Sequence, residues 1–416
     1  MNPANHTERN GRTLLRGSAL KGLKILEFAW VIAGPLVGKY FADNGATVVR
    51  VESSKRPDML RVSEPFKDGK PGVDRAGIWA FYGANKRSMA LDLKHPRASA
   101  VLDRLIRWAD IVTENFAPGK IEEMGLGYED IKKIKQDIIM MRVSIQGQTG
   151  PHSKHPGYGV LAAGLAGVTG LTGWPDRVPS TPVAGYTDVI LPRFAATMIL
   201  AALNYRRRTG KGQCIDLSQF ESTQMLLAPA LLDYTVNGRI AVRQGNSSPT
   251  AVPHNAYPCE GDDRWCVVSV RSNDEWKSLC GIIGRDDLAD VEGFATASAR
   301  KQHESEIDKL VQTWTSGQKA ERAVEILQRA GIPAGVVQNA ADMVADPQLE
   351  RSFWTLNHNV MGPTVHLGQA FTFERSGGDP CTPAPCLGQD TEYVCREILG
   401  LSDEEFVDLL SEGVFE

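Results

Sequence analysis

Leu23-Lys24-Ile25-Leu26-Glu27-Phe28 reads as a strand, Val31-Ile32-Ala33-Gly34-Pro35 as a turn and Leu36–Asn44 as a helix. Gly45-Ala46 then leads into a second strand, Thr47-Val48-Val49-Arg50-Val51-Glu52. Two strands joined by a single short helix lie parallel, with a right-handed crossover. This unit constrains the fold more than any other stretch, because a parallel pair needs helices on its faces and further strands beside it. The pattern continues with a strand at Ser88–Leu93, a helix at Pro96–Ala109, a strand at Ile111–Asn115, a short helix at Tyr128–Lys135 and a strand at Ile138–Ile145. The expected fold class is therefore α/β, a Rossmann-like doubly wound domain on a parallel sheet.

Beyond this point the character of the chain changes twice. Gly157–Gly173 is dense in Gly and Ala, which suits close helix packing; the apolar run Ile190–Tyr205, a strand at Gln213–Leu217 and a helix at Ser218–Tyr234 follow. After Gly245 come a strand at Trp265–Val270 and helices at Asp274–Ile283, Arg300–Thr315 and Lys319–Ala330, the make-up of a small α+β domain. We expect an N-terminal arm over 1–20, a large domain over 21–220, a linker over 221–245, the small inserted domain over 246–330 and a second linker over 331–345. Residues 346–416 then return to the large domain, ending in a helix at Ser402–Ser411 whose Ser402 and Glu405 form a capping box.

A charged content of 23% and a net charge of −4 give no reason to expect nucleic acid or an anionic membrane as partner. The seven cysteines contain no CxxC pair and have no matching histidine pair, so they read as free thiols in a reducing cytoplasm and not as a metal site. The first residues, Asn2 to Arg16, are polar and basic, without the apolar core of an export signal. Pro192 and Arg193 interrupt the best candidate for a membrane span, which needs roughly 18 or more apolar residues.

The first strand–helix turn, Ala29-Trp30-Val31-Ile32-Ala33-Gly34-Pro35, has one glycine where a dinucleotide cradle needs G-x-G-x-x-G. A nicotinamide cofactor is thereby disfavoured, although Glu52 at the end of the second strand could hold a ribose hydroxyl. There is no G-x-S-x-G elbow, no P-loop and no HExxH, and His152 and His155 sit in a polar loop. Arg50, Lys55, Arg56 and Arg61 form a basic run that is either a solvated surface or an anion site. Asp188 precedes the Ile190–Tyr205 run. A carboxylate at a loop-to-helix junction can cap the helix, hold a cation or act as a nucleophile.

Several segments, in this order, carry a resemblance over nearly the whole chain. Leu23–Pro35 and Asn44–Glu52 are followed by Asp58-Met59-Leu60-Arg61, Asn85-Lys86-Arg87-Ser88 and Leu91-Asp92-Leu93-Lys94. Glu114-Asn115-Phe116-Ala117-Pro118-Gly119, Gly157-Tyr158, Asp188 and Arg208-Thr209-Gly210-Lys211-Gly212-Gln213 come next, then Gly331-Ile332-Pro333-Ala334-Gly335 and Pro385-Cys386-Leu387-Gly388. The chain resembles the class III CoA-transferases. That resemblance implies two chains threaded through each other as an interlocked dimer, or a hetero-oligomer with a homologous subunit. It implies coenzyme A as substrate and no other cofactor, and Asp188 as a nucleophile that carries first an acyl group and then CoA. It assigns CoA contacts to Val31, Ile32, Ala33, Asn115 and Phe116, with Arg50, Arg56, Arg61 and Lys154 for the phosphates and Lys86 and Arg87 as further cations. Trp30, Ile32 and Tyr158 would line the acyl pocket.

The chain departs from the family pattern at Ser53, where relatives often have Arg or Lys, and at Ile32, where the formyl-CoA enzyme has a glutamine. It also lacks a tetraglycine lid near Glu260-Gly261-Asp262. Oxalate and formate are thereby disfavoured. The Trp30–Pro35 turn is most similar to the branch acting on succinyl-CoA and benzylsuccinate. Two other readings stand beside this one. A racemase of the same superfamily would want a histidine where the chain has Tyr158, and a phenol with a pKa of about 10 is a poor base. A CoA-binding subunit that works only with a homologous partner would be the third.

Overall fold

The computed structural model describes residues 18–183, 185–378 and 382–415. Six strands form one sheet: β1 (Lys24–Glu27), β2 (Thr47–Glu52), β3 (Arg87–Ala90), β4 (Ile111–Glu114), β5 (Ile139–Ser144) and β6 (Cys214–Ser218). Their order is β3-β2-β1-β4-β5-β6, and every pairing is parallel. The chain starts in the middle, winds outward one way and then crosses to wind the other way. Sequence neighbours β1 and β2 are adjacent, but so are β1 and β4, which makes the C-terminal ends of β1 and β4 the switch point where such sheets leave a crevice.

Both faces of the sheet are buried, as near-continuous apolar strands require. One core gathers Leu26, Val49, Val112 and Met140 with Leu102 and Leu105 of the Ala98–Trp108 helix and with Phe406, Leu409 and Phe415 from the C-terminal end. The other gathers Ile25, Val48, Ile139 and Met141 with Phe41 of the Ala33–Asp43 helix and with Leu191, Ala195 and Ile199 of the Tyr186–Thr209 helix. Alternate strand residues supply the two cores. The C-terminal segment is tied to the sheet edge by Asp390, which accepts from the Ser88 N–H at 3.0 Å, and by Thr391, whose hydroxyl accepts from the Ala90 N–H at 3.0 Å.

The apolar run expected at Ile190–Tyr205 lies in one helix, Tyr186–Thr209, which continues through Pro192 and Arg193. Pro192 removes one ladder bond, the one that would reach the Asp188 carbonyl. This helix is long and apolar enough to cross a membrane, with a mean hydropathy of 1.3. Its Leu191, Ala195, Ile199, Ala202 and Leu203 nevertheless belong to the core against the sheet. The helix expected at Ser218–Tyr234 is broken into Gln219–Gln224, a 3-10 turn at Met225–Leu227 and Ala228–Asn237. Pro229, near the start of the third piece, has no N–H to continue a single ladder. The span expected as a linker over 221–245 is thus largely helical.

The described residues divide into two compact units, one within 18–168, 181–239 and 347–415 and the other within 169–180 and 240–346. The smaller unit carries a three-stranded antiparallel sheet of β7 (His254–Pro258), β8 (Trp265–Ser269) and β9 (Ala334–Val336). Trp276, Leu279, Ile307, Val311 and Leu327 fill its core. The stretch expected as a second linker over 331–345 belongs here. Gly331, at a φ of 80°, turns the chain so that Val336 pairs with Cys266, and the Ala340–Ala345 helix follows. A two-stranded hairpin, β10 (Phe353–His358) and β11 (Gly362–Leu367), stands in the larger unit.

Candidate active site

A cavity of about 1100 Å³ opens at the switch point of the large sheet, lined entirely by residues of the larger unit. Its floor is the turn after β1. The Trp30 N–H donates to Asn115 Oδ1 at 2.7 Å, and Asn115 Nδ2 donates back to the Trp30 carbonyl at 2.7 Å. One side chain at the end of β4 therefore clamps the turn at the end of β1. Val31 has a φ of 63°, which is costly for a β-branched residue. Asp58 holds it there: both carboxylate oxygens accept from the Val31 N–H at 3.1 Å, while Oδ1 also caps Leu60 at 3.0 Å.

Beneath the turn lies a buried charge network. Arg50 donates to Glu27 at 2.9 Å, pairs with Glu52 at 3.2 Å and contacts Asp58. Arg61 meets Glu52 at 2.6 Å and Asp74 at 2.8 Å, and stacks over the Trp79 ring at 4.0 Å. Lys86 donates to Glu27 at 2.9 Å and to the Pro35 carbonyl at 2.7 Å. Burial favours protonation of Glu52, but Arg50 and Arg61 outweigh it and pull its pKa down to about 2. Burial lowers the Lys86 ammonium to about 8, against the opposing pull of Glu27.

This network corrects the phosphate-binding expectation for two arginines. Arg50 and Arg61 are 0% exposed and paired with buried carboxylates, and neither lines the cavity. Two of their carboxylate partners, Glu52 and Asp58, lie within the run itself, while Glu27 and Asp74 come from outside it. Glu52 does line the cavity, but its oxygens are taken by Arg61 and by the Ser88 hydroxyl at 2.6 Å, so it is no ribose ligand. Lys86 is likewise engaged, and Arg87 pairs with Asp390 at 2.8 Å. Lys154 is exposed and is not a lining residue.

Trp30, Val31, Ile32, Ala33, Asn115, Phe116 and Tyr158 all line the cavity together with Asp188. Arg56 stands there too, with its guanidinium over the Trp30 ring at 5.3 Å, and Trp30 packs obliquely on Phe116 at 6.3 Å. Lys55, Lys94 and Lys120 join the lining. Lys94 belongs to the Leu91–Lys94 motif, so a signal for it was present; Lys120 follows directly on the Asn115–Gly119 motif. Tyr158 is exposed, its hydroxyl 3.8 Å from Met59 Sδ, and no histidine is among the lining residues. The proton-transfer pair that a racemase needs is not assembled from this chain's described residues.

Asp188 is the third residue of its helix, behind Gly185 at the N-cap, and does not itself cap. It is 7% exposed. Oδ2 accepts from the Gly159 N–H at 3.1 Å and Oδ1 accepts from Gln219 Nε2 at 2.9 Å. A Cβ on residue 159 would come within 2.3 Å of Oδ2, so only glycine permits this approach. Burial raises the Asp188 pKa, while the Gln219 and Gly159 donors pull the other way. The arrangement is a water-shielded carboxylate held by neutral dipoles, a form suited to attack on an electrophilic carbon. Gln219 was not anticipated from sequence.

Residues 20–391 match the model of CoA-transferase family III. The chain is 32% identical to the succinyl-CoA–D-citramalate CoA-transferase of Chloroflexus aurantiacus, over 95% of this chain and 98% of that protein. It is 31% identical to the succinate–glutarate CoA-transferase of Agrobacterium fabrum, over 92% and 96%. The crystal structure of a CAIB/BAIF family protein from Brucella suis superposes with a TM-score of 0.85 at 29% identity, covering 92% of this chain and all of that one. With that match across the whole α/β framework and the cavity it carries, the chain belongs to CoA-transferase family III and is a CoA-transferase.

Proposed function

We propose that this chain moves CoA from succinyl-CoA to a small dicarboxylic acid through covalent intermediates on Asp188. The observation that carries the reading is the Asp188 carboxylate itself, buried in the wall of a cavity and bound, among the described residues, by uncharged donors. In the first step a carboxylate oxygen attacks the thioester carbon, the C–S bond breaks and CoA leaves as thiolate, giving a mixed anhydride. The thiolate then attacks Asp188 Cγ, and the donor leaves as its carboxylate. The acceptor carboxylate attacks the resulting aspartyl-CoA thioester, and the returning thiolate takes the acceptor's acyl group and frees Asp188. Every step exchanges one anionic nucleophile for one anionic leaving group, so no net proton is required.

Relatives named for D-citramalate, glutarate and L-malate transfer, all with succinyl-CoA or succinate, support a short dicarboxylic acceptor. Benzylsuccinate contains the same succinate half and stays within that class. The lysines and Arg56 on the lining support a phosphate-bearing ligand. We also propose that two chains assemble. Met225, Leu232 and Val236 are 67%, 61% and 76% exposed, and one relative is named as a β subunit. A cytoplasmic setting accords with the free thiols of the described cysteines. The test is incubation with succinyl-CoA and a panel of D-citramalate, glutarate, L-malate, benzylsuccinate and a monocarboxylic acid, read by mass spectrometry. New acyl-CoA with a dicarboxylate is expected; turnover only with the monocarboxylic acid overturns the acceptor class.

A further inference from the structure

Gln219 opens the Gln219–Gln224 helix immediately after β6, and Ser218 caps that helix by accepting from the Glu221 N–H at 3.1 Å. The side chain is 5% exposed, and its Nε2 is the donor on Asp188 Oδ1. Its orientation is set by the Asp188 carboxylate on one side and the Thr187 hydroxyl on the other. Thr187, 1% exposed, sets its hydroxyl 2.9 Å from Gln219 Oε1 and 3.0 Å from the Gly159 carbonyl. Turning the amide over would put Oε1 against an ionised carboxylate oxygen, acceptor against acceptor, in a place from which water is largely excluded.

The two oxygens of Asp188 are not equivalent. Oδ2 faces two glycines: a Cβ at residue 159 would lie 2.3 Å from it and one at residue 185 would lie 2.9 Å from it. At those positions Oδ2 meets backbone, the Gly159 N–H at 3.1 Å, and no side chain, whereas Oδ1 is covered by the Gln219 side-chain amide. We propose that Oδ2 is the attacking oxygen, and that Gln219 Nε2 stabilises the negative charge that develops on Oδ1 whenever Asp188 Cγ is attacked. This rests on the nucleophile reading above and assigns a role to a residue outside it. When the thiolate adds to Cγ of the anhydride, the carbonyl electron pair moves onto Oδ1. Collapse restores the C=O bond and expels the donor carboxylate with Oδ2. The acceptor's attack on the aspartyl-CoA thioester loads Oδ1 in the same way. One amide therefore serves both transfers, in the position of an oxyanion donor.

The experiment compares Gln219→Leu and Gln219→Glu with the unmodified chain in single turnovers with succinyl-CoA, quenched and read by intact mass for the CoA adduct on Asp188. Gln219→Leu is expected to slow adduct formation and discharge by about 10²- to 10³-fold, with KM moving by less than about 3-fold. Gln219→Glu has nearly the same shape and serves if the leucine variant fails to fold. It is expected to be inactive near neutral pH, where two carboxylates face each other, and to recover as acid returns one proton to the pair and with it an O–H donor. The other titratable groups here are Tyr82, raised by its burial and then by the Asp188 charge, and Tyr40 beside it; neither ionises in that range. A Gln219→Leu enzyme that forms and discharges the adduct at the normal rate overturns the proposal. So does a Gln219→Glu enzyme with no recovery in acid. Absence of any CoA adduct on the unmodified chain would instead remove the nucleophile reading itself.

Discussion

Glu52 and Asp188 are two carboxylates in the wall of one cavity, 4% and 7% exposed, and they are opposites in chemistry. Glu52 is gripped by Arg50 and Arg61 and its pKa falls to about 2. Among the described residues Asp188 meets a backbone N–H and a side-chain amide, and burial raises its pKa. Burial is nearly the same, so the partners decide. A carboxylate locked to guanidinium groups is a strut, since its electron pairs are committed and its charge is neutralised. A carboxylate held by dipoles keeps its position and its electron pairs, and it is destabilised enough to react.

The comparison breaks most sharply at Asp188→Asn. CoA transfer should fall by at least about 10⁴-fold in steady-state assays. Stability at neutral pH should hold or rise, because a raised folded-state pKa means that the ionised form costs stability above that pKa and ceases to cost it in acid. A variant that retains substantial turnover would make Asp188 another strut. Arg61→Met should do the reverse, sparing the reacting groups but costing about 3–5 kcal/mol in denaturant unfolding by leaving Glu52 buried and half-paired. A loss below about 1 kcal/mol would show that the network carries no weight.

Glu52 also sharpens the contrast through pH. Its folded pKa lies below the ordinary carboxylate value, so its stabilisation is complete above that value and is lost as pH falls from about 5 toward 2. The amount is on the order of 3 kcal/mol, and Glu52→Gln should flatten that part of the stability–pH curve. The smallest effect is expected at Arg56→Ala, on the solvent-exposed rim. KM for the CoA substrate should rise about 2- to 5-fold at low salt, and the difference should fade as ionic strength increases. A salt-independent change would point to lost packing on Trp30 instead.

Much of this molecule can be read from local pattern. Strand period, helix length and turn residues repeat within a few positions, so all six strands of the large sheet and their parallel sense were legible from Leu23 to Leu217. Asp188, Trp30, Asn115, Phe116 and Tyr158 were named through the resemblance to the class III CoA-transferases, and the fold gathers them in one cavity at the switch point. Arg50 and Arg61 were misread as phosphate contacts because four basic residues close in sequence look like an anion site. Only the fold brings Glu27, Asp58, Asp74 and the Pro385 carbonyl around them. The second linker was misread for the same reason, since β9 is a strand by virtue of pairing with β8.

The sequence by itself determined the α/β framework and the place of Asp188 at the start of its helix, because both follow from periodicity and end signals along the chain. Only the tertiary structure decided what that carboxylate can do. Gln219 is 31 residues away and Gly159 is 29, and nothing in their spacing marks them as its partners. Whether a buried acid is neutralised or left poised depends on which groups the packed chain brings within hydrogen-bond distance, and that is a property of three dimensions.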